Sequence, residues 1–184
     1  MILTFTLILQ INHLLISREG KFIKRAPTHH YCTDFVKFLK LLIEGESPNN
    51  ISPIIKYWVE DGAKILWMGD LETEFMDNIK NNIKMEPADI IFAPHHGRDT
   101  GKVPEDWLDS IDPKIIIIGE APSKDLNYYY GHNTITQNSA GDITLDCYSG
   151  KTHIYVSNPS YFVNFLDNEN MPDDYGKYIG TLNI

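Results

Sequence analysis

Short apolar runs alternate with amphipathic stretches along most of this 184-residue chain. Residues 88–92 and 114–118 are almost wholly apolar, which is typical of strands covered on both faces. Residues 34–44, 71–83 and 104–111 carry apolar side chains at helical spacing, with a polar opposite face. Buried strands that alternate with helices predict an α/β layered fold.

Turn signals divide the remaining apolar stretches into hairpins. Asp61-Gly62 separates residues 54–59 from residues 64–68, and Asp-Gly between two β-rich runs is a strong hairpin signal. Ser149-Gly150 separates two further runs near the end of the chain. We therefore predict strands over 143–148, 153–156 and 161–165, a loop over 27–31, and a loose acidic tail over 167–184.

The apolar residues 1–16 resemble a membrane segment only at first sight. Gln10, Asn12 and His13 interrupt the run, and it is too short to span a bilayer comfortably. Neither basic residues before the run nor small residues after it indicate a signal peptide. The run is rich in β-formers, so a buried strand is the better interpretation, and we expect no membrane partner.

The composition favours a reduced, cytoplasmic protein. The formal net charge is −9, which makes the surface a poor electrostatic partner for nucleic acid or anionic lipid, although a bound metal can reverse the sign locally. The two cysteines, Cys32 and Cys147, are far apart and form no Cys-x-x-Cys, so a cysteine zinc site is not expected.

Three polar segments follow or interrupt the predicted strands: residues 67–70, 93–97 and 130–133. Together they offer one carboxylate and three imidazoles, a ligand set suited to Zn²⁺, Mn²⁺ or Fe. A carboxylate can bridge two cations, and two metals can activate water in hydrolysis. The segments contain Asp70, His95, His96 and His132.

The order of these segments resembles metallo-β-lactamase superfamily hydrolases, in the branch typified by bacterial DNA-uptake competence proteins. Gly69-Asp70 after a strand, then a helix, then a strand ending in Pro94-His95-His96-Gly97, and later Tyr130-Gly131-His132, carry the resemblance. It covers roughly residues 50–156. It implies an incomplete αββα sandwich with a mixed sheet, of which this chain holds the C-terminal half.

The resemblance also implies roles for single residues. Asp70 matches a metal-bridging, catalytic aspartate, and His132 matches a late metal-binding histidine. His95 and His96 match a pair at the edge of the site, which we assign to metal binding and catalysis respectively. The implied cofactor is a divalent metal, zinc or manganese, and the implied substrates are phosphodiesters or nucleic-acid-related molecules. The candidate substrate-binding residues are Arg98, Lys102 and Tyr130.

Several features depart from that pattern. The His-x-His-x-Asp-His cluster of the family is absent, and residues 28–34 have the wrong spacing. Asn133 follows His132 in place of proline, and Arg98 stands where serine is common. We therefore expect one domain over 1–184 with an atypical or truncated part over 1–49, and impaired catalysis by the chain alone. Pairing with itself or with a complementary chain is expected, and the alternative function is a non-catalytic partner or assembly module.

Each site residue also has a structural alternative. Asp70 is a candidate N-cap for a helix that begins at Leu71, and loop histidines often bond only to their own turn. His29 and His30 are interpreted as solvated loop residues. The tyrosines at 128–130 are suited either to stacking on a base or sugar, or to packing their own loop, and we favour packing.

Overall fold

The computed structural model describes residues 29–31 and 47–184, which form two sheets and three α-helices. The strand predicted over 1–16 and the helix predicted over 34–44 lie outside the described residues. The first sheet has six strands in the order β1-β2-β3-β4-β5-β6. The strands are β1 (His29–Tyr31), β2 (Ile54–Trp58), β3 (Lys64–Trp67), β4 (Ile90–Phe92), β5 (Ile115–Ile118) and β6 (Thr134–Thr136).

The first sheet is mixed. Strand β2 is antiparallel to both β1 and β3, whereas β3, β4, β5 and β6 run parallel to one another. The carboxyl ends of β3, β4 and β5 therefore meet at one edge of the sheet. The loop predicted over 27–31 is wrong in part, because His29 and His30 belong to β1.

One face of this sheet is covered by helices α1 (Thr73–Ile79) and α2 (Glu105–Ile111). The strands contribute Ile91 and Ile116 to a core that also buries Met76 from α1 and Trp107 from α2. Helix α1 is shorter than the predicted helix over 71–83, because it begins only after the turn at Gly69 and ends at Ile79.

The other face is covered by a three-stranded antiparallel sheet in the order β7-β8-β9. Strands β7 (Ile143–Tyr148) and β8 (Lys151–Val156) form the predicted closing hairpin, and β9 (Lys177–Asn183) pairs with β8. Ile90 and Ile117 of the first sheet pack in one core with Ile154 and Leu182 of the second. The layers are thus helices, sheet and sheet, and the predicted α/β class with a mixed sheet is confirmed.

Two predictions at the C-terminal end need correction, and two short elements were missed. Residues 161–165 form no strand; Tyr161 and Val163 pack against the second core, but no neighbouring strand pairs with their backbone. The tail is not loose, since β9 buries Thr181 and Leu182. The short strand β6 and the four-residue helix α3 (Gln137–Ala140) were not predicted.

The two sheets are joined at their hairpin tips. Gly62, in the turn between β2 and β3, forms a bridge with Ser149, in the turn between β7 and β8. The N–H of Gly150 donates to the carbonyl oxygen of Asp61. Within residues 29–31 and 47–184, no helix combines the length and the hydropathy needed to cross a bilayer.

Candidate functional site

The loop after β3 makes a sharp turn that places Asp70 at the carboxyl edge of the sheet. Gly69 has φ = 58°, a conformation that glycine adopts without steric cost. The backbone N–H of Asp70 donates to Ser52 Oγ at 2.9 Å, and a Cβ added to Gly69 would lie 2.6 Å from the Cβ of Ser52. The close contact with Ser52 thus fixes the start of the Asp70 loop.

A second set of hydrogen bonds holds the end of the same loop. Glu72 Oε1 accepts hydrogen bonds from Ser47 Oγ at 2.9 Å and from Asn49 Nδ2 at 2.8 Å, while the N–H of Glu72 donates to Asn50 Oδ1 at 3.1 Å. Glu72 is also the N-cap residue of α1. The alternative in which Asp70 caps this helix is therefore wrong.

The loop after β4 carries both histidines in an unusual conformation. Within the 3-10 turn Pro94–Gly97, φ is 50° at His95, 59° at His96 and 82° at Gly97. Left-handed backbone is uncommon outside glycine and usually confined to single residues, so two adjacent histidines there are strained. Such strain persists where the surrounding structure enforces it, and it is concentrated at functional sites.

Two close packing contacts, with the last residue of β5 and with the glycine after it, hold this turn in its conformation. A Cβ added to Gly97 would lie 2.7 Å from Ile118 Cγ2, and one added to Gly119 would lie 2.9 Å from His96 Nδ1. The absence of a side chain at both glycines therefore lets the turn sit directly on the end of β5. The loops after three adjacent strands meet at this point.

The structure brings Asp70 and His96 together. Asp70 Oδ1 lies 3.9 Å from His96 Nε2, with about half of each side chain exposed, at 49% and 55%. This separation is too long for a direct hydrogen bond. It still places a carboxylate oxygen and an imidazole nitrogen, both reached by solvent, near each other at one edge of the sheet.

His95 has a different partner. Its Nδ1 lies 2.9 Å from Thr100 Oγ1, and its backbone N–H donates to the carbonyl oxygen of Gly69 at 2.9 Å. The two neighbouring imidazoles therefore have distinct environments: that of His96 faces Asp70, and that of His95 bonds to the following turn, the 3-10 helix Asp99–Gly101.

His132 lies at the opposite edge of the sheet. Strand β6 is parallel to β5 with Thr134 beside Ile116, so His132, which precedes β6, lies at the amino ends of these strands. The loop after β5 must return across the sheet before β6 can run parallel to it. We predicted that His132 would bind metal together with Asp70 and His95. Its position at the opposite edge does not agree with that prediction, so His132 is left out of the candidate site.

The three predicted substrate-binding residues have different surroundings. Arg98 is exposed directly after the histidine turn. Lys102 Nζ lies 2.5 Å from Asp99 Oδ1 and 5.0 Å from the centre of the Tyr128 ring, and the hydrogen bond that Lys102 donates to Asp99 raises the pKa of Lys102. Tyr130 is 94% exposed in the loop that leads to His132.

The neighbours of Tyr130 pack their own loop. The hydroxyl of Tyr129 accepts a hydrogen bond from the N–H of Val103 at 3.3 Å, and the hydroxyl of Tyr128 donates to the carbonyl oxygen of Val103 at 2.9 Å. Burial raises the pKa of Tyr129 well above its ordinary value. The packing role favoured for this tyrosine run is thus observed for Tyr128 and Tyr129, whereas Tyr130 is free of it.

The described residues supply only part of a metal site. Among residues 29–31 and 47–184, no group of three or more His, Cys, Asp or Glu side chains is placed to hold a metal ion. Catalytic zinc sites have three protein ligands. Asp70 and His96 have donor atoms of the right kind, but two donors do not complete such a centre.

Sequence reasoning missed the residues that support the site. Ser52 and Thr100 bond Asp70 and His95 respectively, but both are common loop residues without a distinctive motif. The nearest signal is the glycine that accompanies each contact: Gly69 against Ser52, and Gly101 against His95.

Comparison with known proteins gives one partial similarity. No protein-family model matches the chain. The chain is 31% identical over 93 residues to ComE operon protein 3 of Bacillus subtilis (strain 168). The aligned region covers 50% of this chain and 11% of the length of that protein. The chain is therefore similar to a small part of a much longer protein.

Proposed function

We propose that this chain is a metal-dependent hydrolase-like domain for phosphodiester or nucleic-acid-related substrates. The observation that carries the proposal is the placement of Asp70 Oδ1 3.9 Å from His96 Nε2 at the carboxyl ends of β3 and β4. Ligand sites in α/β sheets are found outside these strand ends. The partial similarity to ComE operon protein 3 supports the same assignment.

The cofactor that suits this pair is a divalent cation such as Zn²⁺ or Mn²⁺, because both accept carboxylate oxygen and imidazole nitrogen. When bound, such a cation supplies Lewis-acid chemistry to a phosphoryl oxygen. Further ligands would have to come from residues outside 47–184 or from a second polypeptide. Because the sequence lacks His-x-His-x-Asp-His, we expect the chain alone to be a poor catalyst or inactive.

Calorimetric titration of the metal-free chain with Zn²⁺ and with Mn²⁺ tests this proposal. Asp70→Asn and His96→Gln should each weaken binding of the cation at least tenfold. Asp109→Asn and His132→Gln are matched controls, since both residues are exposed and lie outside the site. Binding that is absent, or equally strong in all four variants, would contradict a metal site at Asp70.

A non-catalytic partner or assembly module is the second candidate function. The described residues supply two facing donors in place of a full ligand set, which favours this function. Phe162, which is 80% exposed on the segment before β9, favours it too. Sedimentation analysis of the chain and of Phe162→Asp tests it. Self-association that the substitution abolishes would support assembly, and a concentration-independent monomer would oppose self-assembly through this surface.

A further inference from the structure

Two threonines, Thr100 and Thr73, restrain the surroundings of the His95 ring. Thr100 Oγ1 lies 2.9 Å from His95 Nδ1. The close approach of the two residues depends on Gly101, because a Cβ added there would overlap the carbonyl oxygen of Pro94 and lie 2.5 Å from His95 Cβ. The turn that contains Thr100 is thus packed directly against the histidine turn.

The same turn is tied to the Asp70 loop. Thr73, the first residue of α1, places its Oγ1 3.1 Å from the carbonyl oxygen of Thr100 and 2.9 Å from that of Lys102. Thr73 directly follows Glu72, the residue that closes the Asp70 loop. Movement of Thr100 relative to Asp70 is therefore restrained through α1, and Thr100 is restrained in turn against His95.

We propose that Thr100 is a positioning residue for His95. In this arrangement the Nδ1–H of His95 donates to Thr100 Oγ1, so that Nε2 carries no proton and is the nitrogen available to a cation or a substrate proton. A hydrogen bond at one ring nitrogen is the usual means of fixing the tautomer and orientation of a ligating histidine. Within the part of the chain that the structure describes, the ring of His96 has no such bond, and its Nε2 faces Asp70 instead.

The purpose of this positioning role rests on the proposed function. The test of the role, however, requires neither bound metal nor catalytic activity. The chain is labelled with ¹⁵N-histidine, and the ring nitrogen shifts of His95, assigned by their loss in His95→Gln, are recorded between pH 5 and pH 9. Wild type, Thr100→Ser, Thr100→Val and the control Thr144→Val are compared. Thr144 is a partly buried threonine on β7, in the other sheet.

We expect His95 to be the Nδ1–H tautomer at high pH in wild type, in Thr100→Ser and in Thr144→Val. Thr100→Val should shift His95 toward the Nε2–H tautomer. A dominant Nε2–H tautomer in wild type, or identical shifts in Thr100→Val, would overturn the inference. A metal titration of the same samples reports on the proposed function separately, because wild type could fail to bind metal and still show the tautomer set by Thr100.

Discussion

The backbone N–H of His95 donates a 2.9 Å hydrogen bond to the carbonyl oxygen of Gly69. This bond joins the loop after β3 to the loop after β4, beyond the end of the parallel pairing between the two strands. Because Asp70 follows Gly69 and His96 follows His95, the bond also sets the separation of the two candidate site residues. Changes that disturb Gly69 should therefore affect both loops together.

Gly69→Ala should destabilise the chain through two separate effects. A non-glycine residue at positive φ costs about 1–3 kcal/mol, and the new Cβ would also overlap the side chain of Ser52. Gly150→Ala is the matched control, because Gly150 has φ = 76° with no atom within 4 Å of an added Cβ. Urea unfolding should show a larger loss for Gly69→Ala, and equal losses would contradict the Ser52 contact.

Ser52→Ala removes the acceptor for the N–H of Asp70. We expect a loss of about 0.5–1.5 kcal/mol in the free energy of unfolding, together with weaker divalent-metal binding. Ser157→Ala removes a similar bond, because Ser157 Oγ accepts from the N–H of Asp142 at 2.8 Å far from the site. If both variants lowered metal affinity alike, Ser52 would have no specific role in placing Asp70.

Tyr129→Phe should cost about 1–3 kcal/mol, because it leaves the buried N–H of Val103 without its acceptor. Tyr130→Phe makes the same chemical change one residue away on a side chain that is 94% exposed, and it should cost less than about 0.5 kcal/mol. Thermal or urea unfolding of the two variants provides the comparison. A reversed order would mean that the loop packs differently.

The Cys147 thiol should be slow to react in the folded chain. Burial, and secondarily the charge of Asp146, raise its pKa, so less thiolate is present at neutral pH. In a Cys32→Ser background, we expect iodoacetamide to modify Cys147 much faster in urea than in buffer. Equal rates in the two conditions would contradict this burial.

The same shift predicts a pH dependence of stability. The unfolded thiol loses its proton near pH 8.5, and the folded thiol loses it at higher pH. The contribution of Cys147 to stability is therefore fully present below about pH 8.5 and is lost as the pH rises toward the folded pKa. The free energy of unfolding of Cys32→Ser should fall more steeply above this pH than that of Cys32→Ser/Cys147→Ala.

The meeting of Asp70 and His96 could be predicted, because polar residues that follow adjacent parallel strands share one edge of the sheet. The position of His132 could not, because it depends on whether β6 pairs parallel to β5, and Thr134-Ile135-Thr136 is too short and too polar to show a strand pattern. Hydrophobic periodicity identifies an element more readily than it identifies the partner of that element.

The prediction for the C-terminal tail failed in the opposite way, because a paired strand was missed there. The acidic residues after Asp167 indicated a loose segment, yet Tyr178, Thr181 and Leu182 of β9 are buried. Strand β9 alternates Tyr178 on one face with Ile179 on the other, and its small Gly180 allows Leu166 to approach. A strand that depends on long-range partners of this kind gives a weak local signal, since its stability comes mainly from pairing with β8.

The left-handed backbone at His95, His96 and Gly97 has a consequence for how the site can change shape. A steric barrier near φ = 0° separates this region from the helical and extended regions that most residues occupy. The two imidazoles therefore cannot drift gradually away from Asp70 by small backbone rotations. Leaving the edge of the sheet through the backbone would instead require a transition across that barrier.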